Sequence, residues 1–104
     1  MLGGSANGVV SSGNKTETVA IRTTGGFLWG AKLKGGTADS SLKIYDHASA
    51  ESGTAVWELA TNAGTHVGDV NDGVVFTKPI ICTNGIYAVL AGTAAEFYVL
   101  HEKA

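Results

Sequence analysis

From Thr18 onward the chain alternates short apolar runs with clusters of turn residues, and this rhythm restricts what it can become. The runs are "TVAIR" (18–22), "FLWGAKL" (27–33), "SLKIYDH" (41–47), "AVWELAT" (55–61), "VVFTKPIIC" (74–82), "IYAVLA" (86–91) and "EFYVLHE" (96–102). Each is five to nine residues long and is bounded by Gly, Asn, Asp, Ser or Thr, as strands are. Within several runs the side chains alternate. Leu42 and Ile44 fall on one side, Ser41, Lys43 and Tyr45 on the other, and Phe97 and Val99 oppose Glu96 and Tyr98. No window carries the 3.6-residue period of an amphipathic helix. Composition agrees: good helix formers are sparse, while glycine occurs 15 times and proline once.

About seven strands, with turns every 8–12 residues or so, predict an all-β fold, an antiparallel β-sandwich of jelly-roll-like or Ig-like type. A length of 104 residues suits one such domain. The expected division is a flexible N-terminal arm over 1–16 and a single sandwich over 17–104. The arm, "MLGGSANGVVSSGNKT", has too little apolar surface to offset its ordering entropy. It is either a disordered start or a segment that orders against a partner. In the second case Leu2, Val9 and Val10 are the partner-binding residues.

Three turns stand out. Asn84-Gly85, between "PIIC" and "IYAVL", predicts a tight hairpin of type I′, whose two central residues both need positive φ. "AGTAA" (91–95) predicts a second tight connection, and Gly35-Gly36 opens a longer third. Pro79 lacks a ladder donor, so an edge, a bulge or a break is expected in the fifth run.

The segment "LKIYDHASAESGTAVWEL" (42–59) holds an aspartate, a histidine and serines, the ingredients of a hydrolase site. As a strand, a turn and a return strand, however, it sends adjacent Asp46 and His47 to opposite faces. No G-x-S-x-G elbow presents a nucleophile. "HVGDVNDG" (66–73) gathers His66, Asp69, Asn71 and Asp72 but lacks the spacing and distal glutamate of a calcium loop, and Asp72-Gly73 reads as a turn. His47, His66 and His101 have no ligand spacing. Trp29, Trp57 and Tyr98 are candidates for a sugar-binding platform, although a small alanine-rich sandwich needs its aromatics in the core. "TTGGF" (23–27) is followed by a strand-like run, so a phosphate cradle at a helix start is not expected. Neither catalysis nor a cofactor or metal is anticipated.

The formal net charge is −2, and the seven Lys and Arg are scattered, so nucleic acid is not an expected partner. No apolar run approaches the roughly 18 residues of a membrane span, and the N-terminus does not read as a signal peptide. Cys82, the single cysteine, lies in the apolar "PIICT" and is expected to be a buried small hydrophobe in a protein made in a reducing cytosol.

The segments "GGFLWGAKLKGG", "LKIYDHASAESGTAVWEL" and "FTKPIICTNGIYAVLAGTAAEFYVLHEK" together resemble a group of small structural proteins of tailed bacteriophages. The shared plan is a glycine-bounded strand, an I-Y-D strand with an S-A-x-S-G-T turn, a P-I segment, N-G-I-Y, and a last strand rich in Tyr and Val. The resemblance covers residues 25–102. It implies a β-sandwich that decorates a virion as a capsid cement or head-decoration subunit, made in the host cytoplasm and located on the capsid surface. It further implies a homotrimer that binds the major capsid protein, with no catalytic residue and with residues 1–16 as an arm along the shell. The alternative is a receptor- or carbohydrate-binding sandwich of a head fibre or tail.

Overall fold

A computed structural model describes residues 8–66 and 68–104 of the chain. Eight strands form: β1 (Val10–Ser11), β2 (Val19–Arg22), β3 (Gly26–Lys34), β4 (Ser40–Tyr45), β5 (Trp57–Thr61), β6 (Asn71–Cys82), β7 (Ile86–Ala91) and β8 (Glu96–Lys103). They build two four-stranded antiparallel sheets, ordered β1-β8-β3-β6 and β2-β7-β4-β5. β2 to β8 match the seven runs of the sequence. The sandwich therefore has eight strands where about seven were expected.

The order of pairing identifies the topology. β1 pairs with β8, β2 with β7, β3 with β6 and β4 with β5, as in one long hairpin folded at the β4–β5 turn. Rolling that hairpin up adds the contacts β3–β8 and β4–β7 and splits it into two sheets. This is a jelly roll, the first of the two architectures the strand rhythm allowed. Only β4 and β5 are consecutive neighbours in one sheet, and every other connection crosses between sheets.

That topology corrects the reading of Asn84-Gly85. The pair links β6 of the first sheet to β7 of the second, so it is an arch and not a type I′ hairpin. Gly85 has φ +149°, whereas Ala94 is the one non-glycine with positive φ among the described residues. A Cβ on Gly85 would stand 2.6 Å from the Arg22 carbonyl oxygen. Close approach of backbones therefore selects glycine here, and it leaves the same sequence signature as a hairpin. "AGTAA" is a crossing of the same kind, from β7 to β8, and Gly36 packs so closely on it that a Cβ would lie 1.7 Å from the Thr93 oxygen.

The segment expected as an N-terminal arm is described only in part. Leu2 lies outside the described residues, but Val10 to Lys15 runs along β8. Ser12 N donates to Val99 O at 2.8 Å, Lys15 N to Phe97 O at 2.7 Å and Phe97 N to Lys15 O at 2.9 Å. Asn14 Nδ2 also donates to Glu96 Oε1. A sheet edge offers unpaired main-chain groups, and a Gly/Ser/Asn segment supplies matching ones regardless of its side chains. Val9 is half-buried and Val10 is 52% exposed.

The core lies between the sheets. Leu28, Leu33, Leu42, Ile44, Ile86 and Phe97 are each 0% exposed, and Cys82 joins them. Alternation along each strand supplies these residues, but two bulges adjust the phase. Between Leu28 and Gly30 of β3 the partner β8 advances only from His101 to Leu100, while β6 inserts Phe76 to Pro79. Pro79 thus occupies a bulge on an edge strand, where a missing donor costs no ladder bond. The irregularity switches the inward set from Leu28 to Ala31 and Leu33, and it leaves Trp29 outside.

Candidate functional site

The hydrolase-like segment resolves into turn chemistry. β4 ends at Tyr45, so Asp46 and His47 stand in the β4–β5 loop rather than in a strand. The Asp46 carboxylate reaches across to the β6–β7 arch, accepting from Asn84 N at 2.8 Å and from Thr83 N and Oγ1 at 3.2 Å each. His47 Nδ1 accepts from Ser49 N and Ala50 N, both at 3.0 Å, and so closes its own turn. Each group is committed to a different stretch of backbone. The Tyr45 hydroxyl donates to Glu51 at 3.0 Å. Burial first, and then that carboxylate, raises its pKa above the usual 10.0.

The residues of "HVGDVNDG" separate in the same way. Asp69 Oδ2 accepts from Thr65 N at 3.0 Å and His66 N at 2.8 Å, and it lies 3.7 Å from His66 Nδ1. Asn71 Nδ2 donates to the Gly68 carbonyl, while Asp72 Oδ2 accepts from Ala60 N on β5. Asp39 likewise accepts from Ala63 N. These aspartates hold loops by taking backbone donors that turns leave unpaired. Of the three histidines, His47 and His66 lie in different loops and His101 faces the interior of β8. Among the described residues no group of three or more His, Cys, Asp or Glu could hold a metal ion.

Cys82 is fully buried, and burial first, with the nearby Asp46 charge second, pushes its thiol up to about 11. Thiolate chemistry is suppressed in such a setting. Among the described residues no helix is long and apolar enough to cross a membrane.

The most distinctive surface is the outer face of the first sheet. Register places Phe27 opposite Ile81 and Glu102, Gly30 opposite Val75 and Leu100, and Lys32 opposite Tyr98. Val75 is 74% and Ile81 68% exposed, with Phe27, Trp29, Tyr98 and Leu100 half-buried around them. Trp29 Nε1 donates to Glu102 Oε1 at 2.9 Å, which fixes the indole on this face. Gly30 and Gly73 contribute no side chains, and a hollow of about 220 Å³ opens there beside Lys32, Val75, Tyr98 and Leu100. Contiguous exposed apolar surface of this kind marks contact sites. Sequence reasoning singled out Trp29 and Tyr98 as aromatics and expected an edge, a bulge or a break at Pro79, but nothing in the linear pattern showed that the bulge lies opposite Trp29 and puts it on the same face as Phe27, Val75 and Tyr98. Trp57, the third candidate, is elsewhere. It is 36% exposed at the β5 edge and meets Phe76 edge-on, ring centroids 4.9 Å apart.

No protein-family model, curated protein or solved structure matches the chain.

Proposed function

We propose that the chain is a virion structural protein, a capsid decoration or cement subunit that binds the major capsid protein lattice and stabilises the head. The observation that carries the proposal is the apolar outer face of the first sheet, with Val75 and Ile81 projecting at 74% and 68% exposure. A small domain that leaves such residues in water gains free energy by covering them. The jelly roll is a common architecture of capsid and lectin domains, which supports the class without fixing the function. Aspartates spent on turn capping are consistent with a protein that works by contact. The partner is the major capsid protein, and the assembly is a homotrimer on the capsid surface, made in the host cytoplasm. Val10 is exposed at the β1 edge on the His101 side of the sheet, apart from the outer face, and with Leu2 and Val9 it is proposed as a separate partner contact.

Co-sedimentation with particles stripped of this chain tests the proposal. Val75→Asp and Ile81→Asp place charge on an exposed face, so they should preserve the fold and abolish binding. Removing residues 1–9 probes the terminal stretch without taking away the β1 pairing, which a deletion of 1–16 would destroy. Unchanged occupancy by the aspartate variants would refute the face as the docking surface.

A second reading rests on the same surface. Tyr98 and Lys32 line the 220 Å³ hollow and Trp29 lies further along the same face, an arrangement suited to a sugar ring in a receptor- or carbohydrate-binding module of a head fibre or tail. Loss of glycan binding in Tyr98→Ala, with stability retained, would favour that module over the decoration subunit.

A further inference from the structure

The two lateral edges of the sandwich are built differently. Where β5 and β6 end the sheets, Trp57 meets Phe76 and Ala60 N donates to Asp72, so the layers are closed. At the opposite edge β1 is only two residues long and β2 four. Between them a cleft of about 290 Å³ opens, lined by Val10, Ser11, Lys15, Ala20, Ile21 and His101 among others.

The interior end of this cleft is polar where a core should be apolar. His101 is 9% exposed, and its Nδ1 is buried without a hydrogen-bond partner. Arg22, next to Ile21, has its Nε buried and unpartnered as well. Its side chain lies over Gly26, where an added Cβ would come within 2.5 Å of Cδ and 2.6 Å of Nε. The glycine is what makes room for it. Gly26 is two residues from Leu28, which pairs with His101. The guanidinium has a single long bond, 3.4 Å from Nη2 to Thr24 Oγ1. Burial and the proximity of Arg22 both lower the pKa of His101. No carboxylate offsets these groups: the one salt bridge among the described residues is His66–Asp69, in the β5–β6 loop. Two orphaned buried nitrogens, on groups near enough for the Arg22 charge to act on His101, are rare in a finished core and call for a partner.

A carboxylate meets the requirement. One oxygen can accept from Arg22 Nε–H and the imidazole, the other faces the Lys15 ammonium at the rim, and charge-assisted bonds of this kind are the strong ones. Val10, Ala20 and Ile21 supply an apolar wall for the carbon stem that carries it. We propose that the open β1–β2 edge is a binding site for a carboxylate on a short aliphatic stem, held by Arg22, His101 and Lys15. The stem belongs to a free small acid or to an acidic peptide side chain. The site does not depend on the virion proposal, because its test uses the isolated protein.

The experiment is a titration of the isotope-labelled full chain with sodium butyrate and, separately, with acetyl-Gly-Glu-Gly-amide, followed by NMR at constant ionic strength. Saturable shifts at the Ser11, Ala20 and Ile21 amides and the His101 ring are expected with at least one probe, and the tighter probe identifies the source. Lys15→Ala should weaken binding about tenfold, the loss of one charge-assisted contact. His101→Gln should weaken it too, with its amide spectrum confirming the fold, while Lys34→Ala on the outer face should leave it unchanged. Shifts that stay linear in probe concentration, or that survive intact in Lys15→Ala, would overturn the proposal. So would a fixed water bridging Arg22 Nε and His101 Nδ1 that neither probe displaces.

Discussion

Replacing Asp46 by alanine separates a structural from a chemical role for the segment that most resembles a hydrolase site. The carboxylate holds three donors of the β6–β7 arch: Asn84 N at 2.8 Å and Thr83 N and Oγ1 at 3.2 Å each. Bonds to a charged acceptor are worth about 1.5–3 kcal/mol each when shielded, but these are solvent-accessible and water replaces part of each, so about 0.7 kcal/mol apiece is appropriate. The sum is about 2 kcal/mol, comparable with losing a strong helix cap. For a domain of this size each kcal/mol moves the midpoint by about 4–8 °C, so Tm should fall by about 10 °C. Asp46→Asn keeps one acceptor oxygen and should recover roughly half of the loss. Calorimetry and urea unfolding measure both variants. A change below about 0.5 kcal/mol for Asp46→Ala, the range of neutral surface substitutions, would refute the capping account.

Aromatic truncations should divide by position. Phe97→Ala in the core should cost about 3–5 kcal/mol in urea unfolding, and Trp57→Ala, at a partly exposed edge, clearly less. Because the folded pKa of His101 lies below its ordinary 6.5, the unfolded chain takes up the proton first. Stability contributed at this site is therefore present above about pH 6.5 and lost as pH falls from there through the folded pKa. His101→Gln should flatten that part of a pH–stability curve, and an unchanged slope would contradict the assignment. Cys82, buried with its thiol pushed up to about 11, should react with a thiol reagent no faster than the protein opens, as seen by comparing labelling with unfolding rates.

Strand positions were legible because period-2 alternation and glycine-rich punctuation are local properties, and β2 to β8 follow them. Sheet assignment was not. Asn84-Gly85 carries the local signature of a hairpin, yet its glycine answers to the Arg22 and His47 carbonyls packed against it, contacts made by residues far away in sequence. β1 was hidden for a related reason: its stability comes from the unpaired edge of β8, not from its own side chains. The separation of Asp46 from His47 was anticipated, although the cause is different. They lie beyond the strand end and cap different turns, rather than alternating across a sheet. The apolar outer face and the β1–β2 cleft both depend on tertiary events, the Trp29 bulge and the divergence of two edge strands, that leave no periodic trace.

The most direct test of the central proposal is quantitative mass spectrometry of purified particles from the source, counting this chain against the major shell protein. Decoration of the head predicts a copy number that scales with the whole shell. A few copies per particle, or none, would contradict it.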